Sequence, residues 1–157
     1  MERPSEITSD SPLVVAIDDD CDSLEYIAVL LDRHGIRCAS FWRSREALDF
    51  IRAQPVAVVV TDVFMPEVDG VQLISAIRQC RPEVAVIALT GHNDSYLRCM
   101  KLLGAVEGIS KPIDAAALVA AVRRCLTRDH CGRCLAVGGL MSGRPWPCEC
   151  EGPGSAG

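Results

Sequence analysis

The chain has 157 residues, 49% of them hydrophobic and 24% charged, which suits one domain with a sizeable core and is too short for two full ones. Its net charge of −5 gives no general electrostatic attraction to nucleic acid or to an anionic membrane. No stretch nears the apolar length of a membrane span, and the polar opening "MERPSEITSDSP" reads as neither a signal nor a transit peptide, so a cytoplasmic location is expected.

Residues 1–12 are expected to be disordered. The first apolar run, "LVVAI" at 13–17, is a candidate buried strand and leads directly into Asp18, Asp19 and Asp20. Either that strand ends in solvent, or a cation sits among the three acids. Asp22 or Ser23 can cap a helix whose Leu24, Ile27, Ala28 and Leu31 share one face, and Gly35 suits its C-terminal cap. A short strand at 36–40 follows, and a second helix starts at Ser44 with Ala47, Phe50 and Ile51 on one stripe. "VAVVV" at 56–60 is the strongest strand signal in the chain, β-branched and uninterrupted, and runs into Thr61-Asp62 and the loop "MPEVDG".

A third helix fits about 71–80, with Val71, Ile74 and Ile77 on its apolar face, and a fourth strand fits "VAVIAL" at 84–89, ending at Thr90-Gly91. A fourth helix begins near Asn93 or Ser95 and stops by Gly104. A weaker fifth strand at 105–110 leads to Lys111-Pro112, and Asp114 caps a last helix with Leu118, Ala121, Val122, Cys125 and Leu126 on one face. Strand and helix alternate five times, and the strands are apolar throughout rather than alternating. That pattern requires a parallel sheet covered on both faces. The expected fold is α/β, a flavodoxin-like doubly wound (βα)5 domain over residues 13–127, with a five-stranded parallel sheet of order 2-1-3-4-5.

Ligands of such sheets bind beyond the carboxyl ends of the strands, where the strand order reverses. The strand ends here supply Asp18 and Asp19, Asp62, Thr90 and Lys111. Three crowded carboxylates raise one another's pKa unless a cation neutralises them, and hard oxygen ligands suit Mg²⁺. A carboxylate beside a bound Mg²⁺ can attack a phosphoryl group, whose oxygens then need donors such as an ammonium and a hydroxyl.

The stretches "VVAIDDD", "VVVTDVFMPEVDG", "VIALTGH" and "GAVEGISKP" stand in order at successive strand ends, and with them the chain resembles the receiver domain of bacterial two-component response regulators. The resemblance implies a phosphorylation-dependent switch with Asp62 as phosphoacceptor. It implies Mg²⁺ held by Asp18, Asp19, Asp62 and the backbone carbonyl of Phe64, with Asp19 the more direct ligand. Thr90 and Lys111 would contact the phosphoryl group, and Lys111-Pro112 matches a turn often cis in the family. The implied partners are a histidine kinase or phosphotransfer protein and a downstream protein, with a homodimer compatible. The chain would not be an enzyme beyond its own phosphoryl transfer and dephosphorylation. Asp20 reads as a solvated residue outside the acidic pair. Cys21 stands where the family usually has proline and reads as packing, and His92 reads as a cap or solvent residue.

Two positions depart from the family. Gly108 stands where many receivers carry the aromatic ring that reports phosphorylation, so output must use backbone shifts or another surface. Phe64, two residues past the phosphoacceptor, cannot orient water by hydrogen bonding, which predicts slow self-dephosphorylation. It also argues against an Mg²⁺-dependent phosphohydrolase, since those enzymes usually place a second acid there.

Of nine cysteines, Cys21, Cys38, Cys80 and Cys99 are scattered singly and read as small buried hydrophobes, while five crowd the last part of the chain. Residues 128–157 form a Cys-, Gly- and Pro-rich tail too short for a helix-turn-helix output domain. Cys131, Cys134, Cys148 and Cys150, with His130 beside them, offer four soft ligands for Zn²⁺. Iron–sulfur ligation, a redox-active Cys-x-x-Cys and a disordered extension with free thiols are the other readings. The rival function is therefore a zinc or thiol-redox module regulated by the receiver.

Overall fold

The computed structural model describes residues 12–65, 70–91 and 94–128. In chain order these form β1 (Leu13–Ile17), α1 (Cys21–Arg33), β2 (Arg37–Phe41), α2 (Ser44–Ala53), β3 (Val56–Asp62), α3 (Gly70–Cys80), β4 (Ala85–Thr90), α4 (Asp94–Leu102), β5 (Glu107–Ser110) and α5 (Ala115–Arg128). The five strands make one parallel sheet of order β2-β1-β3-β4-β5, as the sequence pattern requires.

The unbroken apolar strands are explained by two separate cores, one on each face of the sheet. Val14, Ala16, Val58, Val60, Ile87 and Leu89 face Leu24, Ile27 and Leu31 of α1 and Leu118, Ala121, Val122 and Cys125 of α5. The alternate residues Val15, Ile17, Val59, Val86 and Ala88 face Ala47 and Ile51 of α2, Leu73, Ile74 and Ile77 of α3, and Met100 of α4. Neighbouring residues on a strand point to opposite faces, so covering both faces makes the central strands apolar until their carboxyl ends, where Thr61, Asp62 and Thr90 stand. The edge strands β2 and β5 are only partly buried, which is why their signals are weaker.

Several local expectations shift. Asp20, not Asp22 or Ser23, is the N-cap of α1: its side chain accepts from the Asp22 N–H, and α1 starts at Cys21. Strand β2 lies one residue later than expected, β3 runs on to Asp62, and β5 starts at Glu107 rather than 105. Ala28 and Phe50 are half-buried rather than core, Phe50 packing its ring 5.0 Å from that of Phe41. Cys21 and Cys99 are exposed and Cys38 and Cys80 half-buried, whereas Cys125, grouped by sequence with the tail, belongs to the core under α5. The Asp114 cap is present, its Oδ1 accepting from the Ala116 N–H at 3.1 Å. Gly35, at φ 71°, follows the C-cap of α1 as expected. Residues 1–11, His92, Asn93 and the cysteine-rich tail from 129 onward lie outside the described residues.

Candidate functional site

Strand register brings the site together. Ile17 is level with Thr61, so the next residues, Asp18 and Asp62, leave β1 and β3 side by side. Asp62 is level with Leu89, and Thr90 with Ser110, so Thr90 and Lys111 follow on at the same edge. The Lys111 N–H donates to the Thr90 carbonyl at 2.7 Å, and the Asp18 N–H donates to the Phe41 carbonyl at 3.2 Å, which ties all five strand ends together. The Lys111-Pro112 bond is cis.

Asp18 and Thr90 have no exposed surface, and Asp62 is also buried. The Lys111 Nζ donates to Asp18 Oδ2 at 2.8 Å and to Asp62 Oδ2 at 3.0 Å, bridging residues 93 and 49 positions away. The other oxygen of each carboxylate takes a backbone donor: Asp18 Oδ1 from the Asp20 N–H and Asp62 Oδ1 from the Phe64 N–H, both at 3.0 Å. Burial lowers the Lys111 pKa, but the hydrogen bonds and charges of Asp18 and Asp62 outweigh it, and the net shift is upward. Buried carboxylates are tolerated here because each is paired and hydrogen-bonded.

Asp19 is exposed, yet an oxygen of its carboxylate lies with oxygens of Asp18 and Asp62 within 4.8 Å of one another. Desolvation, then the hydrogen bond and charge of Asp18, push its carboxyl above the usual range. Three carboxylates and one ammonium leave a net charge of −2 at this strand edge. A compact divalent cation with oxygen ligands, such as Mg²⁺, balances that charge, so the residues present fit it.

Two contributors escaped the sequence reading. Asp20 is exposed but engaged, its oxygens accepting from the Asp22 N–H at 3.2 Å and the Ser23 hydroxyl at 2.9 Å; these bonds, led by Ser23, hold its carboxyl below the usual range. An acid directly before a helix that carries serine three residues later was the available signal. Gly70 is the second: it opens α3 and donates its N–H to the Val63 carbonyl at 3.1 Å, one residue beyond Asp62. The Asp-Gly pair before an apolar stripe marked a turn, but not this close approach.

Residues 14–123 match the family model described as the response regulator receiver domain. The chain belongs to the response regulator receiver domain family. Among curated relatives it is 38% identical over 118 residues to the transcriptional regulatory protein FixJ of Azorhizobium caulinodans, covering 74% of this chain and 56% of that protein. It is 34% identical over 117 residues to the C4-dicarboxylate transport transcriptional regulatory protein DctD of Rhizobium meliloti, covering 74% of this chain and 25% of that protein. The chain thus spans little more than half of the first relative and a quarter of the second.

A receiver domain structure from Clostridium thermocellum superposes with a TM-score of 0.70 at 31% identity, covering 74% of this chain and 95% of that one. The beryllofluoride-activated receiver domain dimer of NtrC4 gives a TM-score of 0.71 at 25% identity, covering 74% of this chain and 98% of that one. Receiver domains are phosphorylation-dependent switches of two-component signalling, and this chain is one of them. No helix among the described residues is long and apolar enough to cross a membrane.

Proposed function

We propose that this receiver takes a phosphoryl group onto Asp62 from a histidine kinase or phosphotransfer protein. The observation that carries this is the bridging of Asp18 and Asp62 by Lys111, with Asp19 completing a three-carboxylate cluster. An oxygen of Asp62 attacks phosphorus, the bond from phosphorus to the donor's imidazole nitrogen breaks with its electron pair on the ring, and an aspartyl phosphate results. Lys111 offsets the charge of the phosphoryl oxygens, and the Thr90 hydroxyl donates to one of them. Asp18, Asp19, Asp62 and the Phe64 carbonyl would hold Mg²⁺, which when bound neutralises charge on the transferring oxygens.

The domain acts on its own carboxylate rather than on a free substrate, and it signals in the cytoplasm by binding a downstream protein as monomer or homodimer. The receiver begins at residue 13 after segment 1–12, and its last helix runs one residue beyond the expected end at 127, to Arg128, before the tail. Labelling with a small phosphodonor and Mg²⁺ tests the assignment by comparing wild type with Asp62→Asn. Label on the wild type alone is expected; absence of label, or label retained by Asp62→Asn, overturns it.

A second reading concerns the tail, and the Cys131-x-x-Cys134 spacing favours it. Cys131, Cys134, Cys148 and Cys150 would bind one Zn²⁺. Metal analysis of the purified chain should find one equivalent of zinc that is lost when Cys131 and Cys134 are replaced by serine. A metal-free wild type refutes it.

A further inference from the structure

The third aspartate of the opening run holds no place among the carboxylates that converge on the cation site. Its bonds lie instead at the junction between that site and α1. The Asp20 backbone is extended, at φ −88° and ψ 111°, and its N–H donates to Asp18 Oδ1 at 3.0 Å. Its carbonyl accepts the first helical bond, from the Leu24 N–H at 3.1 Å, while its carboxylate takes the Asp22 N–H and the Ser23 hydroxyl. Leu24, Ile27 and Leu31 anchor the helix so started in the core. A continuous path therefore runs from the core through α1 and Asp20 to Asp18, and from Asp18 to Lys111 and Asp62.

We propose that Asp20 is a positioning residue for the cation site: by capping α1 it fixes the turn that aims its own N–H at Asp18 and sets the Asp19 carboxylate beside those of Asp18 and Asp62. Asp18 is completely buried, so it depends on that donor and on Lys111 to hold one orientation. Loss of the cap frees the first turn of α1, loosens the Asp20 N–H and spreads the carboxylates. The inference rests on reading Asp18, Asp19 and Asp62 as the Mg²⁺ site.

Calorimetric titration of the intact, unphosphorylated chain with Mg²⁺, well below its melting temperature, tests this. Asp20→Asn, Asp20→Ser and Asp20→Ala all remove the same charge, and only the first two keep an oxygen that caps the helix. Asp20→Asn and Asp20→Ser should bind Mg²⁺ equally, and Asp20→Ala about tenfold more weakly, the lower end of what partners of a metal ligand contribute. Equal affinity in all three reduces the role of Asp20 to its charge and overturns the proposal. Ser23→Ala keeps the charge and removes only the 2.9 Å bond. It should weaken Mg²⁺ binding by a smaller factor relative to wild type, and keeps the proposal falsifiable if Asp20→Ala does not fold; unchanged affinity there counts against it. Absence of Mg²⁺ binding by the wild type removes the reading of the cluster itself, and the proposal with it.

Discussion

Gly70 lies so close to Val63 that a methyl group on its Cα would come within 2.7 Å of both the Val63 Cα and its carbonyl oxygen. The Val63 atoms it would meet are all backbone, so no flexible side chain can move aside. Val63 follows Asp62, the proposed phosphoacceptor, and donates its own N–H to the Leu89 carbonyl at 3.0 Å, so pressure there is transmitted to the strand end that carries Asp62. Gly70→Ala should cost about 1–3 kcal/mol of stability, the usual range for overpacking. It should also slow phosphoryl acceptance by Asp62. Denaturant midpoints and labelling rates measure the two effects, and a variant matching wild type in both contradicts the close approach.

Lys111 should affect cation binding and phosphoryl acceptance in opposite directions. Its ammonium stands between Asp18 and Asp62, so it repels the divalent ion that those carboxylates attract. Replacing it with methionine deepens the charge of the edge from −2 to −3. At about 5 Å and a water-like dielectric the removed repulsion is about 1–2 kcal/mol, so Lys111→Met should bind Mg²⁺ roughly tenfold more tightly. The same variant should accept phosphate poorly, having lost the cation proposed to face the phosphoryl oxygens. Weaker Mg²⁺ binding would instead show that the lysine matters mainly as a spacer.

The pH dependence of stability follows from the same pair of bonds. Burial opposes the charged form of Lys111, but Asp18 and Asp62 win, and the folded-state pKa lies above the ordinary lysine value. A group raised on folding contributes stability fully present below its unfolded pKa and lost as pH rises through its folded pKa. The contribution is therefore intact at neutral pH and declines only on the alkaline side of the ordinary lysine range. The gap in melting temperature between wild type and Lys111→Met should narrow across that alkaline range. A gap that closes already near neutrality would point to a different titrating group.

Phe64 is 38% exposed, and its backbone N–H is bonded to Oδ1 of Asp62, the proposed phosphoacceptor, so a partly exposed aromatic side chain branches from the backbone that touches that carboxylate. A hydrocarbon edge there offers attacking water no hydrogen bond. The isolated phosphoprotein should lose its phosphate slowly, and Phe64→Gln should speed the loss roughly tenfold by giving water a fixed partner. A half-life of seconds in the wild type, or no change in the variant, would remove the ring from the account.

How far the sequence could be read depended on whether a feature is carried by pattern or by contact. The sheet order and the site were legible because unbroken runs such as "VAVVV" require two covered faces, and because chemistry-bearing residues sit directly after those runs. Asp18, Asp62, Thr90 and Lys111 converge through register alone. Asp20 is solvated and outside the acidic cluster, as expected, but its capping of α1 escaped because that rests on bonds with Asp18, Asp22 and Leu24, which no periodicity reports. Gly70 escaped for a similar reason: a turn signal does not disclose which strand end the turn touches. The cysteines show the limit of composition. Cys21 and Cys99 fall on outward helix faces, where a residue type usually found buried is left in solvent.

That difference in surroundings sets the order in which the thiols react. Cys21 and Cys99 are exposed, Cys125 is fully buried under α5, and Cys38 is half-buried on the edge strand β2. Burial pushes the Cys38 thiol up to about 11, against the smaller opposing pull of hydrogen bonds from the Ser40 side chain and the Ala16 backbone. The thiolate is the reactive form, so at pH 8 only roughly one Cys38 in a thousand is poised to react. Brief alkylation at pH 8 followed by peptide mapping should therefore mark Cys21 and Cys99 first, Cys38 far more slowly, and Cys125 only after denaturation. Because peptides are read individually, the tail cysteines do not obscure the result. Cys38 labelled as fast as Cys21 would mean that β2 opens readily at the sheet edge, since neither its burial nor its thiolate fraction would otherwise permit that rate.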